Sequence, residues 1–176
     1  MLKKAAIALF SLGTVVQLGA YGGDFIARFD GGIGVIPVSN GAGVVQADGT
    51  LPSVTLNVVR GVSPAAPWTI AGLRADVDAD GRIRVRGRGL LLANGNRIGQ
   101  NANQSVFATL ICEPAAPFVE HSTDRAGVPL EANGDFRIDD VLDPVPTECA
   151  SPVLLIRTIN GTRPWFAAGI PKLGDD

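Results

Sequence analysis

The strongest constraint on this chain is a turn that it repeats. Ala-Asp-Gly or Ala-Asn-Gly occurs four times, in QADGTL (46–51), DADGRI (78–83), LANGNRI (92–98) and EANGDFRI (131–138). Such a tripeptide suits a three-residue hairpin loop, a type I turn whose glycine takes a positive φ and opens a G1 bulge. Between the turns lie short β-branched runs: GVIPVS (34–39), SVTLNVV (53–59), RIRVRG (82–87), SVFATLIC (105–112), DFRIDDVL (135–142), PVLLIRTI (152–159) and WFAAGI (165–170). With 22 glycines and 12 prolines as punctuation and no sustained helical period, these runs predict an all-β fold. The expected class is an antiparallel β-sandwich of Greek-key or immunoglobulin-like type with about eight strands.

The DADG turn fixes a register. Pairing outward from it sets Asp78 opposite Arg82, Val77 opposite Ile83, Asp76 opposite Arg84 and Ala75 opposite Val85. One face is then apolar, and the other sets acid against base. Arg86 falls opposite Arg74, and Arg88 opposite Gly72, so free positive charge gathers at the end of the hairpin far from the turn. The same logic in EANGDFRI pairs Leu130 with Phe136 and Val128 with Ile138. The Asn160-Gly161 pair predicts a two-residue hairpin that sets Ile156 against Trp165 and Leu155 against Phe166. SPAAP (63–67) and DPVPTECASP (143–152) read as crossings between sheets.

The chain opens with Lys3 and Lys4, then an apolar run ending in Gly19 and Ala20. That is the layout of a secretory signal over residues 1–20, with a mature chain starting near Tyr21, although Leu18 fits the −3 position poorly. The run is shorter than the ~20 apolar residues of a spanning helix, so contact with a membrane is expected only during export. Residues 21–176 are long enough for one domain and too short for two. Cys112 and Cys149 are the only cysteines. In an exported, secreted or periplasmic protein, of bacterial type by its short leader, they read as one disulfide.

The net charge of the full chain is −2, and losing Lys3 and Lys4 with the leader makes the remainder more acidic. Nothing in that balance calls for nucleic acid. DVDADG (76–81) resembles the first half of the calcium loop of the EF-hand family and of extracellular calcium repeats. The resemblance implies Asp76, Asp78 and Asp80 as calcium ligands, with Gly81 at the sharp turn. It stops there, because Arg84 stands at the ninth position and Gly87 where a bidentate glutamate belongs.

Catalysis finds little support. His121 is the only histidine, beside Glu120, Ser122 and Asp124, and reads as a solvated loop residue. Triads are assembled in space rather than from neighbours in sequence. Asp139 and Asp140 are adjacent on a strand and face opposite sides, so they cannot form a glycosidase pair alone. No catalytic residue is assigned. Of the tryptophans, Trp165 belongs to an apolar hairpin, whereas Trp68 follows SPAAP and is a candidate stacking platform. The sequence thus points to an exported, non-catalytic binding module or structural component of the cell surface. Arg74, Arg86, Arg88 and Trp68 are its candidate contacts for a glycan or another surface protein. A guard against edge-to-edge strand pairing is the competing role for the arginines, and a small secreted hydrolase of carbohydrate is the alternative function.

Overall fold

The computed structural model describes residues 25–39 and 54–172. The leader over 1–20 and the QADGTL turn lie outside them. Thirteen strands are found among the described residues: β1 (Phe25–Gly34), β2 (Pro37–Ser39), β3 (Val54–Leu56), β4 (Trp68–Thr69), β5 (Gly72–Asp78), β6 (Arg82–Arg88), β7 (Leu91–Leu92), β8 (Ser105–Ile111), β9 (His121–Ser122), β10 (Val128–Pro129), β11 (Phe136–Val141), β12 (Val153–Thr158) and β13 (Trp165–Pro171). The only helical element among them is the short 3-10 turn Gly95–Arg97.

The all-β antiparallel expectation holds, but the strands are joined otherwise than as two separate layers. Nine belong to one sheet in the order β10-β8-β12-β13-β1-β5-β6-β11, with β9 also on β8. Ser122 of β9 exchanges two backbone hydrogen bonds, at 3.0 and 2.8 Å, with Asp143 just past β11. That contact draws the ends of the sheet together into a nearly closed, barrel-like form. Two small pairs, β2 with β3 and β4 with β7, lie beside it. The first large strand, β1, was not among the expected runs. Glycines interrupt it, and the register shifts between Phe29 and Gly32, where Gly31 has φ +99°. This is how a bulge hides a strand from pattern reading.

The DADG hairpin forms in the expected register: Val77 faces Ile83, Ala75 Val85, Asp76 Arg84, Arg74 Arg86 and Gly72 Arg88. Gly81 takes φ +82° and donates to the Asp78 carbonyl at 3.0 Å, closing the turn. The other hairpins depart from expectation. EANGD makes its turn, with the Glu131 N–H on the Asp135 carbonyl at 2.9 Å, but β10 then turns away to pair with β8. At the Asn-Gly hairpin, Leu155 faces Ala168 and Arg157 faces Trp165. The loop is longer than two residues because Pro164 has no N–H for a ladder and Arg163 sits at φ +55°. LANGNRI builds the 3-10 turn rather than a hairpin.

The interior is filled by Ala27, Phe29, Val77, Ile83, Val85, Leu110, Phe136, Leu154, Ile156 and their neighbours. Phe136 lies directly across from Gly87, and a Cβ at Gly87 would come within 2.0 Å of its ring. The glycine is therefore the space that the ring occupies. A second apolar cluster, Val35, Val62, Ile111, Leu155 and Trp165, lies on the opposite face of β8, β12 and β13. The Cys112–Cys149 disulfide joins the end of β8 to the crossing before β12.

Candidate functional site

The outer face of β1, β5, β6 and β11 carries nearly all of the charge at issue. Alternation along each strand sends Ala75, Val77, Ile83, Val85 and Ile138 inward, leaving polar side chains outside. Strand pairing then orders these into rows. One row reads Arg28, Asp76, Arg84, Asp139, alternating in sign across four strands. The next, two residues along, reads Asp30, Arg74, Arg86, Arg137, one acid followed by three bases.

The ion pairs differ from the directly opposed ones expected. Asp76 reaches Arg28 at 3.7 Å, Asp78 takes Arg84 diagonally at 3.3 Å, and Arg82 reaches Asp139 on β11 at 3.2 Å. Arg74, expected to be free, holds Asp30 at 3.2 Å. Arg86, Arg88 and Arg137 make no ion pair among the described residues. A guard at a strand edge does not describe these arginines, because β6 lies inside the sheet between β5 and β11.

The three predicted arginines do come together. Arg74, Arg86 and Arg88 line a surface groove of about 490 Å³, with Asp30, Gly31, Ala71, Gly72 and Leu73 forming the rest of its wall and floor. Its depth comes from small residues: the Arg88 guanidinium lies over Gly72, 3.2 Å from where a side chain there would begin. Arg137 extends the row beyond the groove. Period-two alternation in DFRID places Arg137 outward, but its neighbour on β6 is distant in sequence, so sequence reading missed it.

Trp68 does not join this site. It is 2 % exposed and stacks on Phe166, with ring centroids 4.1 Å apart. Burying both faces of the indole in the core outweighs leaving it as a platform in water. Its edge helps to line a separate open groove of about 580 Å³ with Ala65, Leu92, Gln104, Asn160 and Pro164. Trp165 is buried in the second cluster and donates its indole N–H to the Asn57 carbonyl at 3.0 Å.

The half calcium loop is occupied by protein groups. Asp76 and Asp78 hold arginines, and Asp80 Oδ1 accepts the Arg82 N–H at 3.1 Å. Among the described residues no three His, Cys, Asp or Glu side chains come together as a set that could hold a metal ion.

His121 is buried rather than solvated, with Nδ1 2.6 Å from the Pro144 carbonyl. Ser122 Oγ pairs with Thr109 Oγ1 at 3.0 Å, so serine and histidine have different partners. Around them Glu120, Asp124, Asp140 and Asp143 line a cleft of about 600 Å³. Most of these carboxylates are already engaged. Glu120 binds Arg157 at 2.7 Å, Asp124 accepts the Ala126 N–H at 2.9 Å, and Asp140 accepts those of Asp124 and Val141 at 2.8 Å. No family model, no curated protein and no solved structure matches this chain, so the groove itself must carry the functional reading.

Proposed function

We propose that this chain is an exported, non-catalytic binding protein, secreted or periplasmic, that holds an acidic glycan in the groove of Arg74, Arg86 and Arg88. The reading takes residues 1–20 as a cleaved leader and 21–176 as one domain built, as in a Greek-key sandwich, around facing apolar layers. The observation that carries it is the gathering of three exposed guanidinium groups on one small-residue concavity, two of them without an acid partner among the described residues. Guanidinium groups are suited to carboxylates and sulfates through paired N–H donors. Calcium has no part in this reading.

The hydrolase alternative draws on the cleft of Glu120, Asp124, Asp140 and Asp143. It is the weaker reading, since a general acid must be free to give up a proton to substrate, and three of these carboxylates already act as acceptors for protein groups. The experiment is retention of the mature chain on a panel of immobilised acidic and neutral glycans at low salt. The parent should be held by acidic members only, and Arg86→Glu combined with Arg88→Glu should abolish retention without lowering the melting temperature. A parent that retains none of them refutes the proposal. Release of new reducing ends from any member would favour the hydrolase.

A further inference from the structure

The two charged rows obey different rules. In the row of Arg28, Asp76, Arg84 and Asp139 each charge faces its opposite on the neighbouring strand, the arrangement that stabilises a sheet. In the row of Asp30, Arg74, Arg86 and Arg137, three arginines stand directly across from one another on three consecutive strands. Like charges so placed oppose pairing, and only Asp30 offsets them. Breaking a local rule while the adjacent row keeps it is the mark of a surface retained for use.

We propose that this row is a track for a linear polyuronate, a sugar chain with one carboxylate per residue, laid across the strands rather than along them. The inference rests on the acidic-glycan reading above and adds to it a ligand class, a direction and a further residue, Arg137. Neighbouring strands lie about 4.8 Å apart, so the three arginines present a line of charges roughly 10 Å long. Arg88, two residues beyond Arg86 on the same face, stands beside this line over Gly72.

The boundaries of the track select the ligand. Along the strands the next row begins only two residues away, about 7 Å, and there Asp76 and Asp139 are balanced by Arg28 and Arg84. Those balanced charges offer an anion no net attraction, so the basic strip is only one sugar chain wide. A duplex nucleic acid, with a negative charge every ~1.7 Å of its axis, would lay its second strand over them. The acidic balance of the whole chain likewise favours a polymer of modest charge density. Planar carboxylates spaced along a chain match the forked donors of successive arginines.

The discriminating variant is Arg137→Gln, because Arg137 lies in the row but not in the groove. Calorimetric titration of the mature chain at low salt would use hexagalacturonate, its methyl ester, a heparin fragment and poly-glutamate. Hexagalacturonate should bind, and the uncharged ester should not. Arg137→Gln should weaken hexagalacturonate binding about tenfold, in keeping with the loss of one charge-assisted contact. Its melting temperature should hold or rise as the like-charge row is relieved, and Arg137→Lys should recover part of the affinity. If Arg137→Gln binds as the parent does while Arg86→Glu with Arg88→Glu does not bind, the groove stands and the track is overturned. Tighter binding of heparin or poly-glutamate than of hexagalacturonate overturns the ligand class. No binding of any glycan removes the underlying reading as well.

Discussion

The sheet has two halves that solve the same folding problem differently. Along β6, burial alternates strictly, with every second residue in water. Along β8 and β12 every residue beyond the first is buried, because one face packs into the interior and the other lies under two separate segments, one bearing Val59 and Val62 and the other Phe118. Polar groups follow suit. In the one-sided half the ion pairs are exposed, with Arg74 77 % and Asp30 54 % accessible. In the covered half Arg157 is sealed, binding Glu120 at 2.7 Å and donating Nε–H to the Arg163 carbonyl at 2.8 Å. Arg60 fastens the cover, donating to the Glu113 carbonyl and, at 2.8 Å, to Ser151 Oγ. The lesson is a division of labour: stability is concentrated where both faces are dry, which leaves the wet face free to carry an unfavourable row of charge.

The largest test of that division is the disulfide, which lies in the covered half. Its cysteines are 37 residues apart, and the chain-entropy model gives about 4 kcal/mol for such a loop. Cys149→Ala should lower the stability measured by urea unfolding by that much, and a curve indifferent to it would break the comparison. Next come Leu154 and Leu155, adjacent on β12, facing opposite clusters and both fully buried. Each change to alanine should cost about 3 kcal/mol, whereas Arg84→Ala on β6 should stay within ~0.5 kcal/mol. A mild Leu155→Ala would mean that the second cluster is only a loose cover.

The ion pairs sharpen the contrast at lower energy. Glu120→Gln leaves the Arg157 charge buried without its partner and should cost about 2–3 kcal/mol, below the usual range because Glu120 is partly exposed. Asp139→Asn removes the exposed partner of Arg82 and should cost less than ~1 kcal/mol. Equal costs would erase the distinction. The smallest effect is one of pH. The Val119 N–H, 3.2 Å from Glu113 Oε2, holds the Glu113 carboxyl below its ordinary range. A lowered folded value stabilises the fold fully above the unfolded value of ~4.3, and the contribution fades as pH falls through the folded value. Glu113→Gln should therefore lower stability slightly at neutral pH, leave it unchanged in acid, and so flatten the acid end of the stability curve.

What could be read in the sequence follows the same divide. The DADG hairpin was legible because a turn, a glycine and period-two alternation act within a dozen residues. The groove of Arg74, Arg86 and Arg88 followed from it. Arg82–Asp139 and the place of Arg137 were not legible, since β11 meets β6 across 49 residues of chain between Phe136 and Gly87. The covered half was harder still. A strand buried on both faces loses its alternation, so nothing in SVFATLIC announces that Thr109 is sealed with Ser122. Trp68 and His121 were misplaced for one reason: local sequence does not say which distant segment will cover a side chain.

The sheet also has a history written into its order. Among the described residues β1 is the first of the large strands to be synthesised and β13 the last, and the two pair, with Phe29 meeting Pro171. Until β13 leaves the ribosome, β1 and β12 each present a row of unpaired N–H and C=O groups to any neighbour, including another nascent chain. Assembly of the sheet thus waits on β13, and the contacts that complete it span most of the described residues, a topology that folds slowly. Loss of β13 would leave β1 and β12 with open, self-adhesive edges.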